Sequence, residues 1–193
     1  KLENVKASPT LFFEFHGSET SNKETIKLVE ELSKNNGGSD FKWAESIEER
    51  NKLWKARHDV YYSVKALGTN MKVYSTDICV PISKLVECVS WAEKHVKENG
   101  LIAPMVGHVG DGNFHSIILY DPKDEEKQKL IRNYSDKLIQ KALELEGTIT
   151  GEHGIGLQKK HYLLKQHPDN LPAMKSIKTV SYTHLRAHET RHY

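Results

Sequence analysis

The segment His108–His115 restricts the fold more than any other part of the chain. It places Asp111-Gly112 between two largely apolar runs, 101–108 and 114–120. An Asp-Gly pair favours the type I′ turn of a two-residue hairpin, because both central residues of that turn need positive φ. We therefore predict an antiparallel hairpin with its tip at Asp111 and Gly112, which excludes a purely parallel sheet.

Helical and strand patterns alternate along the rest of the chain, and Ser46 is a suitable N-cap for one of the helices. We predict helices over 21–34, 46–67, 83–97, 124–146, a stretch after Gly156 and 171–180, and further strands over 9–16, 41–44, 71–80 and 148–150. The order β-α-β-α-β-α-β-β-α-β-α, with one tight hairpin, indicates an α+β fold in which helices cover a large, mostly antiparallel sheet.

The hairpin also brings two histidines together. With the tip at Asp111 and Gly112, His108 and His115 become direct cross-strand partners, whose Cβ atoms should lie ~4.5–5.5 Å apart. Two imidazoles at that distance can share one metal ion. Each histidine could instead be an ordinary hydrogen-bonded one, and these two residues alone do not decide between the two interpretations.

A second glycine-rich segment, Gly151–Gly156, contains Glu152 and His153. Two imidazoles and one carboxylate form a ligand set that leaves positions open for substrate at divalent-metal sites, so Glu152 is available as a third ligand. Adjacent side chains in an extended segment point opposite ways. We therefore expect one of the pair to bind metal and the other to face the reacting group. The segment lacks the G-x-G-x-x-G spacing of a dinucleotide fingerprint.

Composition argues against two classes of function. The formal net charge is +2, from 28 Lys and Arg against 26 Asp and Glu, and the basic residues are spread among the acidic ones. That pattern gives no electrostatic basis for a nucleic-acid surface. No apolar run approaches the ~18 residues that a transmembrane helix needs. Because the chain begins at Lys1 rather than Met, we expect it to be a piece of a longer protein.

The last thirteen residues, 181–193, depart from the preceding pattern. They carry His184, His188 and His192 at a spacing of four, which on a helix would align as a chelating stripe. Alternatively the segment is not native, because it resembles translated adapter or vector sequence at the ends of assembled sequences. We expect the domain to cover 1–180 and exclude the tail from the fold prediction.

The two histidine-containing segments together resemble the signature of the C-terminal domain of the FAD-linked oxidase family, in particular its D-lactate dehydrogenase (cytochrome) type. The resemblance covers nearly all of 1–180, with 53–58 and 77–81 in the expected order between the ends. It implies an α+β substrate domain that covers the isoalloxazine ring of an FAD. A separate upstream domain would hold most of that FAD.

The resemblance also implies roles for single residues. His108, His115 and Glu152 match the family's ligands for a divalent metal, zinc or manganese, and His153 matches the general base. Arg57 matches an arginine that pairs with the substrate carboxylate, a task that suits a bidentate guanidinium.

On sequence alone, Arg57 is more simply a solvated residue on a charged helix, and only the resemblance reverses that interpretation. The same resemblance places Gly112, Asn113 and Gly154 near the flavin.

Two positions depart from the family's dicarboxylate-specific branch, which has a lysine at position 75 and an asparagine at position 117. This chain has Ser75 and Ile117, so a second carboxylate would lack its partners, and a buried unpaired charge is costly. The resemblance therefore implies oxidation of D-lactate to pyruvate in mitochondria, with FAD as hydride acceptor and cytochrome c or another acceptor downstream.

Two alternatives stay open. The substrate could be glycolate or another small 2-hydroxy acid, within the same family. As an isolated fragment without FAD, the chain would lack a hydride acceptor, and it would then be a non-catalytic metal-binding or interaction domain.

Overall fold

The computed structural model describes residues 8–44 and 46–181. The chain divides into two compact units, Lys1–Tyr61 and Tyr62–Tyr193. Apart from Ser181, the tail with its three histidines lies outside the described residues. Within the described ranges, no helix combines the length and the apolar character needed to cross a bilayer.

Two helices, α1 (Glu19–Asn35) and α2 (Ile47–His58), lie in the first unit. Ser46 caps α2 as predicted: its Oγ accepts from the Glu49 N–H at 3.1 Å, and Glu49 Oε2 accepts from the Ser46 N–H at 3.2 Å. This reciprocal pair is a capping box, which satisfies two backbone donors that the helix leaves without partners. The sequence therefore fixes where α2 begins.

The end of this helix and both strands of the first unit were predicted wrongly. The helix stops at His58, since Asp59 is a poor helix former, and a short helix α3 (Val60–Lys65) follows. Neither 9–16 nor 41–44 joins a strand among the described residues. Aromatic residues favour a strand only where another strand pairs with it, and here Phe13 and Phe15 stack on each other instead.

Four strands form an antiparallel sheet in the second unit. They are β1 (Lys72–Ser75), β2 (Ile78–Cys79), β3 (Met105–His108) and β4 (Asn113–Tyr120). The three shorter strands all pair with β4. β1 and β2 pair with β4 in one continuous register. They therefore correspond to the single predicted strand 71–80, which is interrupted at Thr76 and Asp77. The 148–150 strand is reduced to one bridge, between Cys79 and Thr148. The α+β class and the antiparallel sheet are confirmed.

Helices cover one face of this sheet. They are α4 (Ile82–Glu98) and α5 (Glu125–Glu144), and the shorter α6 (Lys160–Gln166) and α7 (Leu171–Ser181) follow in the chain. Phe114 and Ile118 of β4 enter the core beneath α4 and α5, and Ser116 Oγ lies 2.8 Å from the Tyr134 hydroxyl of α5. Because side chains alternate along a strand, residues 113, 115 and 117 face the other side of the sheet.

The hairpin between β3 and β4 is confirmed, but its predicted register is wrong. The loop has four residues, Val109–Gly112: a 3₁₀ turn followed by Gly112, the one loop residue with positive φ, at 77°. His108 therefore faces Asn113 rather than His115. Because the register is displaced by two residues, His108 and His115 stay on the same face as diagonal neighbours.

Candidate functional site

Asp77, at the interruption between β1 and β2, lies at the centre of the site. Its side chain is 2% exposed. It accepts hydrogen bonds from the backbone N–H groups of Gly151, Glu152 and His153 at 3.0 to 3.3 Å and from Thr150 Oγ1 at 2.7 Å. One carboxylate thus holds four successive residues against the sheet.

The environment of Asp77 favours its ionised form. Burial by itself would raise the pKa of this carboxyl group. Hydrogen bonds from Thr150, the His153 N–H and Asn113, together with the Lys159 ammonium 3.9 Å away, outweigh that effect and hold the pKa well below its usual range. At neutral pH Asp77 is therefore a carboxylate that only accepts hydrogen bonds.

The segment 151–153 is a bend, which corrects the expectation that Glu152 and His153 point opposite ways. Its three amides converge on Asp77, so the backbone is not extended and the side chains do not alternate. The His153 ring lies against that of His115, with centroids 5.0 Å and planes 8° apart, and His153 Nε2 is 3.5 Å from Glu152 Oε1. Glu152 and His153 therefore face the same space.

Both histidines predicted as metal ligands lie near the third predicted ligand, Glu152, beside this bend. Glu152 Oε1 lies 2.9 Å from His115 Nε2, and Glu152 Oε2 lies 3.8 Å from His108 Nε2. The His115 side chain is 9% exposed, whereas those of His108 and Glu152 are 56% and 46% exposed. A carboxylate thus lies between one buried imidazole and one open to solvent.

The orientation of His115 fits a cation. Its Nδ1 lies 2.9 Å from the Thr76 carbonyl oxygen, which can only accept, so Nδ1 carries a proton and donates it. A neutral ring then presents the lone pair of Nε2 to Glu152 Oε1, and two acceptors 2.9 Å apart repel unless positive charge lies between them. A second proton would supply that charge, and so would a divalent ion held by His115 and Glu152. The contact between His115 and Glu152 therefore fits a divalent metal.

A second possible ligand set overlaps the first. Asp77, His115 and His153 offer donor atoms that all lie within 4.8 Å of one another. We favour the set with Glu152, because both oxygens of Asp77 already accept hydrogen bonds. In addition, the His115 nitrogen that faces Asp77 is Nδ1, at 3.7 Å, which donates to Thr76. Asp77 is thus better placed to hold the ligands than to be one.

Residues 1–180 match the sequence profile described as FAD linked oxidases, C-terminal domain. This chain belongs to that family. Among curated proteins, it is 46% identical over 172 residues to the probable D-lactate dehydrogenase, mitochondrial, of Danio rerio, covering 89% of this chain and 35% of the relative. It is 37% identical over 181 residues to the mitochondrial D-lactate dehydrogenase (cytochrome) of Arabidopsis thaliana, covering 94% and 32%.

A less similar relative is the glycolate oxidase subunit GlcD of Escherichia coli (strain K12), which is 26% identical over 177 residues, covering 91% of this chain and 35% of the relative. The chain thus spans about a third of the length of these relatives.

The three positions expected near the flavin have local structural reasons for their identity. A Cβ on Gly112 would lie 1.9 Å from the Val80 carbonyl oxygen, and Gly154 adopts a positive φ of 76°. Asn113 is buried; its Nδ2 donates to Asp77 Oδ1 at 2.9 Å, and its Oδ1 has no partner among the described residues. Contact of these residues with a flavin stays a prediction.

Arg57 lies on α2 in the first unit, where it is half-buried, and its pairing with a substrate carboxylate also stays a prediction. No functional role was predicted for Asp77 or Lys159 from the sequence. One signal pointed to Asp77: an ionisable residue in the middle of a predicted strand, between Thr76 and Ile78. Such a residue is rarely buried unless it is paired. Nothing local distinguished Lys159 from the other lysines.

Replacing Gly151 by alanine should disrupt the bend in this FAD-linked oxidase domain. The new Cβ would lie 1.8 Å from Asn113 Nδ2 and 2.9 Å from Asp77 Oδ1, so the anchoring bonds must shift. We expect a loss of about 1–3 kcal/mol in the free energy of unfolding, measured by urea denaturation, with weaker metal binding. Gly156→Ala is the control, since a Cβ there meets nothing within 4 Å. Equal losses in the two variants would contradict this role for Gly151.

Proposed function

We propose that this chain is the substrate- and metal-binding part of a flavin-dependent dehydrogenase that oxidises D-lactate to pyruvate. The observation that carries the proposal is the Glu152 carboxylate between two imidazoles, with His153 stacked beside them. This arrangement combines a ligand set for a divalent ion with a base that the ligand set leaves free. Four curated relatives named as D-lactate dehydrogenases, at 34% to 46% identity, support the choice of substrate.

In this proposal the chain's own residues bind the substrate and move one proton. The Arg57 guanidinium pairs with the lactate carboxylate. His108, His115 and Glu152 would hold zinc or manganese, which would supply Lewis acidity at the 2-hydroxyl. His153 accepts the hydroxyl proton as general base. The α-hydrogen leaves with its electron pair, and FAD, held mainly by another domain, supplies the hydride acceptor.

The two positions that favour a monocarboxylate lie side by side. Ser75 of β1 and Ile117 of β4 are register partners, and Ile117 is two residues beyond His115 on the same face of the sheet. Ile117 is buried and neither side chain carries a charge. This pair therefore offers no cation to a second carboxylate beside the metal ligands, which supports D-lactate over 2-hydroxyglutarate.

A substrate panel on the full-length protein, with an artificial electron acceptor, tests the proposal. We expect kcat/KM for D-lactate to exceed that for D-2-hydroxyglutarate by at least about 100-fold, because the second carboxylate stays unpaired. The double variant Ser75→Lys/Ile117→Asn should narrow that ratio. A preference for the dicarboxylate in the unaltered protein would contradict the assignment.

Glycolate is the second candidate substrate, favoured by the similarity to the glycolate oxidase subunit. A kcat/KM for glycolate above that for D-lactate in the same panel would establish it in place of D-lactate. We also propose a mitochondrial location with cytochrome c as electron acceptor, in line with the names of the relatives. Reduction of cytochrome c by the full-length protein and D-lactate checks the acceptor.

A further inference from the structure

We infer that Asp77 is the positioning residue of this site: its carboxylate sets the directions of Glu152 and His153 by holding the backbone between them. The inference rests on the proposed function, since it concerns the same metal ligands and the same base. It assigns no contact with substrate or metal to Asp77.

Asp77 acts on main-chain groups rather than on the functional side chains. Three successive amides and the Thr150 hydroxyl donate to its two oxygens, and this forces the bend. The direction of each Cα–Cβ bond follows from the backbone, so the bend decides where Glu152 and His153 point. In an extended backbone the two side chains would alternate, and one of them would leave the site.

The same strand interruption also orients the other half of the site. The carbonyl of Thr76, next to Asp77 in sequence, accepts from His115 Nδ1 and turns Nε2 toward Glu152. Asp77 Oδ1 accepts from Nδ2 of Asn113, which precedes His115 by two residues on β4. Thr76 and Asp77, which are adjacent in sequence, thus fix the position of the His115 imidazole relative to the bend at 151–153.

The charge of Asp77 is already balanced within the chain. Lys159 is largely buried, and its Nζ donates to the Asp77 carbonyl oxygen at 2.6 Å and lies 3.9 Å from Oδ2. A buried carboxylate with a cation and several donors is stable without a metal ion. The structure therefore supports Asp77 as a fixed anchor for the ligands.

Asp77→Asn in the full-length protein tests the inference, with Co²⁺ as the probe because its visible spectrum reports ligand geometry. The asparagine side chain has the same shape as that of Asp77, but it lacks the negative charge and one of the two hydrogen-bond acceptor oxygens. We expect amide hydrogen exchange over 150–154 to be at least about tenfold faster, and Co²⁺ affinity to fall about 10–100-fold. The spectrum at saturating Co²⁺ should change, while exchange in α4 and α5 stays the same.

Asp136→Asn is the matched control, because Asp136 on α5 accepts from the Tyr162 hydroxyl on the helical face, and it should change none of the three readouts. Thr150→Val removes a single donor to Asp77, so it should act in the same direction with a smaller effect, and it carries the test if Asp77→Asn does not fold.

Unchanged exchange over 150–154 would overturn the inference. So would faster exchange with unchanged Co²⁺ affinity and spectrum. An unaltered protein that binds no Co²⁺ would contradict the proposed metal site itself. In that case Asp77 is judged by the exchange data and by kcat with D-lactate, which must fall in Asp77→Asn if His153 has lost its position.

Discussion

Replacing His115 by alanine in the full-length protein is expected to remove the bound metal and to lower kcat/KM for D-lactate by at least about 100-fold. Loss of an outer-shell partner alone costs 10–100-fold at metal sites, and His115 is proposed as a direct ligand. It is also the buried imidazole, with Nδ1 fixed by Thr76 and Nε2 2.9 Å from Glu152. His108 is mostly exposed, so we expect His108→Ala to weaken metal binding less.

Metal content per protein and steady-state rates measure this effect. His95→Ala is the matched control: His95 Nδ1 also lies near a backbone carbonyl, that of Trp91, at 2.8 Å, but His95 is on α4 and has no role in the proposed site. If His115→Ala keeps full metal content and activity, the metal assignment is wrong. Equal losses in both variants would indicate a general effect on folding.

Replacing His153 by glutamine should distinguish the role of the general base from that of the metal ligands. We expect kcat with D-lactate to fall about 10²–10⁴-fold, the usual contribution of a general base, with the metal content unchanged. Glu152→Gln should instead lose the metal, because the neutral amide no longer places a negative charge between the two imidazoles.

This pair of variants also decides between the two overlapping ligand sets. If His153→Gln loses the metal and Glu152→Gln keeps it, the ligands are Asp77, His115 and His153. Metal analysis of both purified proteins gives that answer directly. A His153→Gln protein with normal kcat would exclude His153 as the base under either set.

The sequence predicted features whose causes lie within a few residues of each other. The N-cap at Ser46 and the helical patterns over 83–97 and 124–146 are local, and so is the Asp-Gly signal of the hairpin. The register of that hairpin was not predictable in the same way, because a 3₁₀ turn closed by Gly112 accommodates the same residues in a longer loop. The error leaves His108 and His115 on the same face of the sheet, since the register is displaced by two residues.

Asp77 shows what local patterns cannot supply. Its hydrogen-bond donors Thr150 and His153 follow it by 73 and 76 residues. The residues next to Asp77 in the sequence therefore do not indicate which groups its carboxylate binds. The prediction of a strand over 9–16 was wrong for a related reason. Its aromatic residues favour a strand, but a strand forms only where a second strand from elsewhere in the chain pairs with it. Arg57 stays a prediction that rests on the family resemblance.

The break in the strand at Thr76 and Asp77 also limits how this domain can diverge. Inserting or deleting one residue there would turn one flanking half of the strand over, because side chains alternate with a period of two. Either the core residue Ile78 or the neighbour of Ile117, Ser75, would then face the wrong side. Substitutions at Ser75 and Ile117 leave that spacing intact. Point substitutions at these two positions can therefore alter the proposed substrate preference without disturbing the sheet, whereas a change in the length of this short segment cannot.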